Sequence, residues 1–229
     1  MEPETKPLWE HLEELRGRLI KCIAAVLVSG VAAYLWLDPL VERLLDPAGR
    51  LIFIHPTEAF LTRLKIAAFA GVFLALPVIF YQFWKFVLPA LTPREVKSLA
   101  PVVAASYALF LFGVFFGYRF VLPPAMRFLL GFGGPGVEPR LAFGAYVSFA
   151  MNFLLAFGLA FQLPVAVFLL SLFGIVKDDF FARKRKTAVV AIFVASALLT
   201  PPDIFSQLMI ALPALLLFEL SVLLTRVTK

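Results

Sequence analysis

The chain has 229 residues, 62% of them hydrophobic, 15% aromatic and only 16% charged, with 26 Phe and a formal net charge of +6. Soluble domains are about 45–50% apolar and about 25% charged, so this chain has too little polar surface to coat a water-soluble globule; disorder, collagen and a disulfide scaffold are excluded by the same balance. The single cysteine, Cys22, supplies neither an internal disulfide nor a thiolate metal cluster.

A bilayer's hydrocarbon core is about 30 Å thick and takes about 20 apolar residues per helix. Charge-free runs at 22–37, 66–84, 98–118, 141–176, 187–202 and 204–218 therefore predict an all-α, polytopic membrane protein with six transmembrane helices in a single membrane domain, 1–229. The N-terminal segment 1–20 comes first. Within it, Leu8, Leu12, Leu15 and Leu19 fall within about 60° of one another on a helix, which predicts an amphipathic helix over 8–20 on the membrane interface. Glu2, Glu4, Glu10, Glu13 and Glu14 make this start too acidic for a cleaved signal peptide, so the first apolar run is expected to remain as a helix over 19–37.

The outer segment 38–58 carries Pro47, Gly49 and Pro56, and Leu40, Val41, Leu44 and Leu45 suggest a short helix lying over the membrane. Thr57 is the expected N-cap of the second membrane helix, 59–88. That helix ends in Tyr81-Gln82-Phe83-Trp84-Lys85-Phe86, an aromatic belt with a snorkelling lysine. A short inner loop leads to a third helix over 96–122, followed by a Gly- and Pro-rich outer loop, 123–143. The fourth helix, 144–173, contains Pro164, which predicts a kink. The last two helices, 187–202 and 204–224, have charge-free runs of 16 and 15 residues. Sixteen residues reach only about 24 Å, so either local thinning of the bilayer or shielding of the helix ends by neighbouring helices is expected there.

Thirteen Lys and Arg fall on the side of the two termini and seven on the other, which by the positive-inside rule puts both termini in the cytoplasm. The charge bias is thereby accounted for, and no nucleic-acid binding is expected.

Several motifs invite chemistry that their surroundings do not support. Gly131-Phe132-Gly133-Gly134-Pro135-Gly136 fits G-x-G-x-x-G, but the dinucleotide motif needs a preceding strand and a following helix. Here it reads as a helix stop and loop. Glu13-Glu14-Leu15-Arg16-Gly17-Arg18 fits the E-E-x-x-x-R pattern of some intramembrane metalloproteases, yet the only histidines are His11 and His55, too few for a ligand set. With no H-E-x-x-H, no Walker A pattern and no plausible Ser/His pair in a membrane helix, no cofactor and no enzyme activity are expected.

Glu14 and Glu95 carry more information, because both sit beside membrane helices on the inner side by the charge argument. A carboxylate there is a charge-assisted, bidentate partner for a guanidinium. The plainer alternative is an in-chain pair, such as Glu14 with Arg18 at i,i+4. Gln162, two residues before Pro164, is an intramembrane polar group facing either another helix or a cavity. Asp203 follows a Pro-Pro turn and is placed to cap the last helix. A small-solute secondary transporter or channel is the competing expectation, but only Asn152 and Gln162 stand out as midplane polar groups to line a path.

Four stretches in chain order resemble the TatC family, the multi-spanning signal-receptor subunit of the twin-arginine protein translocase. They are His11 to Leu19, Leu76 to Leu91, Phe157 to Ala166 and Leu199 to Gln207. The resemblance implies a concave, glove-like arrangement of six helices that binds the twin-arginine motif of signal peptides at its cytoplasmic face. The implied signal-peptide residues are Glu14, Arg16, Phe86 and Glu95. Pro47 and Asp203 match family positions expected to be structural, and Gln207 lies in the implied partner-docking hairpin. The implied partners are the single-span TatA and TatB subunits and further copies of the receptor. The implied location is the cytoplasmic (inner) membrane of a prokaryote, with export driven by the proton-motive force. A family carboxylate in the fourth helix falls on Gln162, which keeps the polarity and loses the charge.

Overall fold

A computed structural model describes residues 8–49, 51–87, 99–131, 140–172, 179–199 and 203–227. By internal contacts they form two compact units, 1–41 with 63–107, and 42–62 with 108–229. The described helices are α1 (Leu8–Leu35), α2 (Leu37–Leu45), α3 (Pro56–Val87), α4 (Leu99–Phe116), α5 (Leu122–Leu130), α6 (Phe143–Ala160), α7 (Leu163–Leu172), α8 (Asp179–Arg183), α9 (Arg185–Leu199) and α10 (Ile204–Val227). A π-helical turn, Gly117–Val121, joins α4 to α5. Two two-residue strands, β1 (Leu51–Ile52) and β2 (Leu141–Ala142), pair in parallel with Leu51 opposite Leu141.

Among the described residues, five stretches are long and apolar enough to cross a membrane: Leu12–Leu35, Pro56–Phe86, Ala100–Leu130, Phe143–Ser171 and Ile204–Leu223. The sixth apolar helix, α9, has 15 residues, about 22 Å at 1.5 Å per residue. The chain is thus an all-α, multi-pass membrane protein, and its many exposed large hydrophobics, such as Val28, Leu35 and Leu198, are surface for lipid.

Four expectations change in detail. The amphipathic stretch 8–20 and the apolar run after it form one continuous helix, α1, because nothing between them breaks the backbone hydrogen bonding. Thr57 is not the cap of α3: the helix begins at Pro56, whose missing N–H costs nothing in a first turn. Helical structure does not stop at Pro123 and Pro124. These prolines fall at the second and third positions of α5, within the first turn, where no intrahelical N–H bond is needed. The π turn before them, with Leu122 N–H donating to Gly117 O, re-registers the chain. Lastly, the final helix is not short. Glu219 interrupts the charge-free run but not α10, because glutamate is a good helix former, and Arg185 pairs with it at 2.8 Å. Of the last two membrane helices, α9 alone is shorter than the bilayer among the described residues.

Other expectations hold. The fourth apolar run breaks at Phe161 and Gln162, directly before Pro164, and resumes as α7. Asp203 Oδ1 accepts the Ser206 N–H at 2.7 Å and so caps α10.

In the first unit, α1 and α3 touch through glycine. A Cβ on Gly71 would lie 2.5 Å from Gly30 Cα, so the two backbones are in direct contact. Trp84 and Ser106, both buried, join α3 to α4 through Trp84 Nε1 and Ser106 Oγ at 3.1 Å. The second unit has an aromatic core. Phe110, Phe153 and Phe157 are almost fully buried, and Phe110 packs so closely on Gly158 that a Cβ there would lie 2.5 Å from its ring.

Candidate functional site

At one end of the first unit, α1 presents Glu13, Glu14, Arg18 and Lys21, and α3 presents Tyr81, Gln82 and Lys85. Together they line a polar cavity of about 370 Å³. The helical repeat explains the set on α1: positions 14, 18 and 21 are four and three residues apart and share one face.

Arg18 is the hub. Its Nε donates to Glu14 Oε1 at 3.1 Å, and its Nη2 also contacts that oxygen. Its Nη1 donates to Gln82 Oε1 at 3.3 Å. The Arg18 side chain is only 12% exposed, whereas Glu14 keeps 35%. The i,i+4 pair foreseen as the plainer alternative is therefore formed. Lys85 Nζ lies 5.7 Å from the Tyr81 ring centroid, a cation–π distance.

The other expected site residues are distributed as follows. Arg16 is exposed on α1, and Phe86 is half-buried in the last turn of α3, one residue beyond Lys85. Glu95 lies outside the described residues. Pro47 sits in the turn after α2, closed by Ala48 N–H to Leu45 O at 2.9 Å. Gln162 is half-buried at the break between α6 and α7, with its backbone N–H on Leu159 O at 3.0 Å. Gln207 Nε2 donates to Phe193 O at 3.0 Å and so ties α10 to α9. Beyond Gly131, which ends α5, the glycine-rich motif lies outside the described residues.

Sequence reasoning missed Gln82 as the partner of Arg18. The available signal was a lone amide inside an otherwise aromatic belt. It also missed a polar cap in the second unit. Glu58, at the third position of α3, reaches back to the Ile54 N–H at 2.8 Å, with a longer 3.4 Å contact to the His55 N–H. Its other oxygen accepts the Gly144 N–H at 2.7 Å in the first turn of α6. Tyr146 donates to Leu44 O at 2.7 Å and Tyr118 to Arg43 O, so two hydroxyls satisfy carbonyls at the end of α2.

Comparison with known proteins matches residues 10–213 to the family described as Sec-independent protein translocase protein (TatC). A Carboxydothermus hydrogenoformans protein named Sec-independent protein translocase protein TatC is 41% identical over 234 residues, covering 100% of this chain and 96% of that protein. The Escherichia coli K12 protein of the same name is 37% identical over 232 residues, covering 97% of this chain and 89% of its own. A crystal structure described as the twin arginine translocase receptor TatC matches with a TM-score of 0.83 and 36% identity, over 96% of this chain and 100% of that one. With a family match across most of its length and relatives of this similarity end to end, the chain belongs to the TatC family of Sec-independent protein translocase proteins.

Proposed function

We propose that this chain is the receptor component of a twin-arginine translocase. It binds twin-arginine signal peptides of folded proteins at its cytoplasmic face through Glu14, Arg16, Phe86 and Glu95. It then gathers TatA, TatB and further copies of itself for export driven by the proton-motive force. It acts as a binding protein and not an enzyme, in the cytoplasmic membrane of a prokaryote with both termini inside.

The observation that carries this proposal is the half-exposed carboxylate of Glu14 at the rim of a polar cavity on a membrane protein of the TatC family. A planar guanidinium matches a carboxylate fork, and an ammonium matches only its charge. Glu14 already holds Arg18, so an arriving arginine exchanges with an internal one and no bare carboxylate is left at the membrane interface. The membrane potential supplies about 2.3 kcal/mol per charge per 100 mV, and α9, shorter than the hydrocarbon core, thins the bilayer where partners assemble. Since Gln162 stands where the family resemblance implies a carboxylate, no titrating group at that position takes part.

Photo-crosslinking tests the proposal. A photoreactive residue placed beside the arginine pair of a signal peptide is expected to label residues 12–18 and 82–95. Labelling confined to the stretch 117–160 would count against it.

A further inference from the structure

The second unit holds an apolar groove of about 480 Å³ between α7, α8, α9 and α10. Its wall on α9 is built by Thr187, Ala188, Ala191 and Ile192, which with Lys184 follow the spacing of one helical face. Phe181 and the buried Val167 and Phe218 form its floor. Lys184, at the junction of α8 and α9, closes one end and has no ion pair among the described residues. Arg183, Arg185 and Lys186 flank it, Asp179 stands at the far end of α8, and Glu219 on α10 is engaged by Arg185 at 2.8 Å.

We infer that this groove binds an anionic phospholipid, with an acyl chain along the apolar wall and the phosphate at Lys184. Two observations fix the occupant. An apolar slot with a cationic end at a helix terminus complements a molecule that is apolar along its length and anionic at its head. Size points the same way. The groove, at about 480 Å³, falls within the roughly 300–1,000 Å³ of small-ligand sites. Lys184 lies on the groove face, while Lys186, two residues on, lies off it. The site therefore differs from diffuse attraction between a basic surface and an anionic membrane.

Native mass spectrometry of the purified full chain, supplied with equal phosphatidylglycerol and phosphatidylcholine of the same acyl chains, tests this. The unaltered chain is expected to retain phosphatidylglycerol preferentially. Lys184→Gln is expected to lose about fivefold of that preference, the weight of one lysine at an anionic surface, and Lys186→Gln to leave it in place. Ala191→Phe, at an exposed position on the groove wall, is expected to reduce retention of both lipids. Equal retention of the two lipids by the unaltered chain would overturn the inference, as would equal loss in Lys184→Gln and Lys186→Gln. A dimer peak in place of the lipid adduct, abolished by Ala191→Phe, would seat a second copy in the groove and also overturn it. Unchanged elution and helicity of each variant keep folding defects apart from lost binding.

Discussion

Arg18 on α1 donates to Gln82 on α3 at 3.3 Å, a contact between residues 64 positions apart that also fixes where Glu14 points. It makes the cavity at the end of the first unit a preorganised polar site.

Replacing Arg18 by Gln removes the internal competitor for Glu14. Partly exposed ion pairs contribute about 0.2–1 kcal/mol. Arg18→Gln is therefore expected to tighten binding of a twin-arginine peptide by up to about fivefold at low salt, with the gain fading as salt rises. Titration of a labelled peptide at two ionic strengths checks this.

Glu58 gathers backbone N–H groups from Ile54, His55 and Gly144. Glu58→Ala leaves the Gly144 amide at the start of α6 without its carboxylate partner and is expected to loosen both segments that Glu58 joins. Amide hydrogen exchange should accelerate at 51–56 and 141–146 and leave α1 unaffected. Glu58→Gln, which keeps an acceptor, should show a smaller effect.

Gly158→Ala drives a methyl group into the buried Phe110 ring. Overpacking of this kind costs about 1–3 kcal/mol. The variant should unfold at lower temperature in detergent, and adding Phe110→Leu should recover part of the loss. Equal melting of Gly158→Ala and the unaltered chain would show that the ring can move aside.

Trp84→Phe keeps most of the buried aromatic surface and removes the bond to Ser106. A net loss of about 0.5–1.5 kcal/mol is expected, read as a lower midpoint in thermal unfolding. Ser106→Ala should cost a similar amount, and the double variant less than the sum.

The membrane helices were legible in the sequence because apolar runs of this length have little other use, and Pro164 and Asp203 marked a break and a cap through local chemistry. Local chemistry also misled. Pro123 and Pro124 look like the end of a helix, and only a π turn makes them the start of the next. The strand pair and the Glu58–Gly144, Tyr118 and Tyr146 bonds were not readable, since each joins a side chain or strand to a segment 75 or more residues away and leaves no periodic trace. Within the candidate site, Glu14 and its pairing with Arg18 followed from i,i+4 spacing. Gln82 did not, because which face of α3 meets α1 is set by the Gly30–Gly71 approach and not by any motif around residue 82.

The proposed recognition of paired guanidinium groups by Glu14 is tested most directly by affinity for matched signal peptides. The full chain in lipid nanodiscs is titrated with an Arg-Arg peptide and its Lys-Lys counterpart, before and after Glu14→Gln. The Arg-Arg peptide should bind at least tenfold tighter to the unaltered chain, and Glu14→Gln should remove most of that difference. Equal affinity for the two peptides, or a preference that survives Glu14→Gln intact, would contradict it.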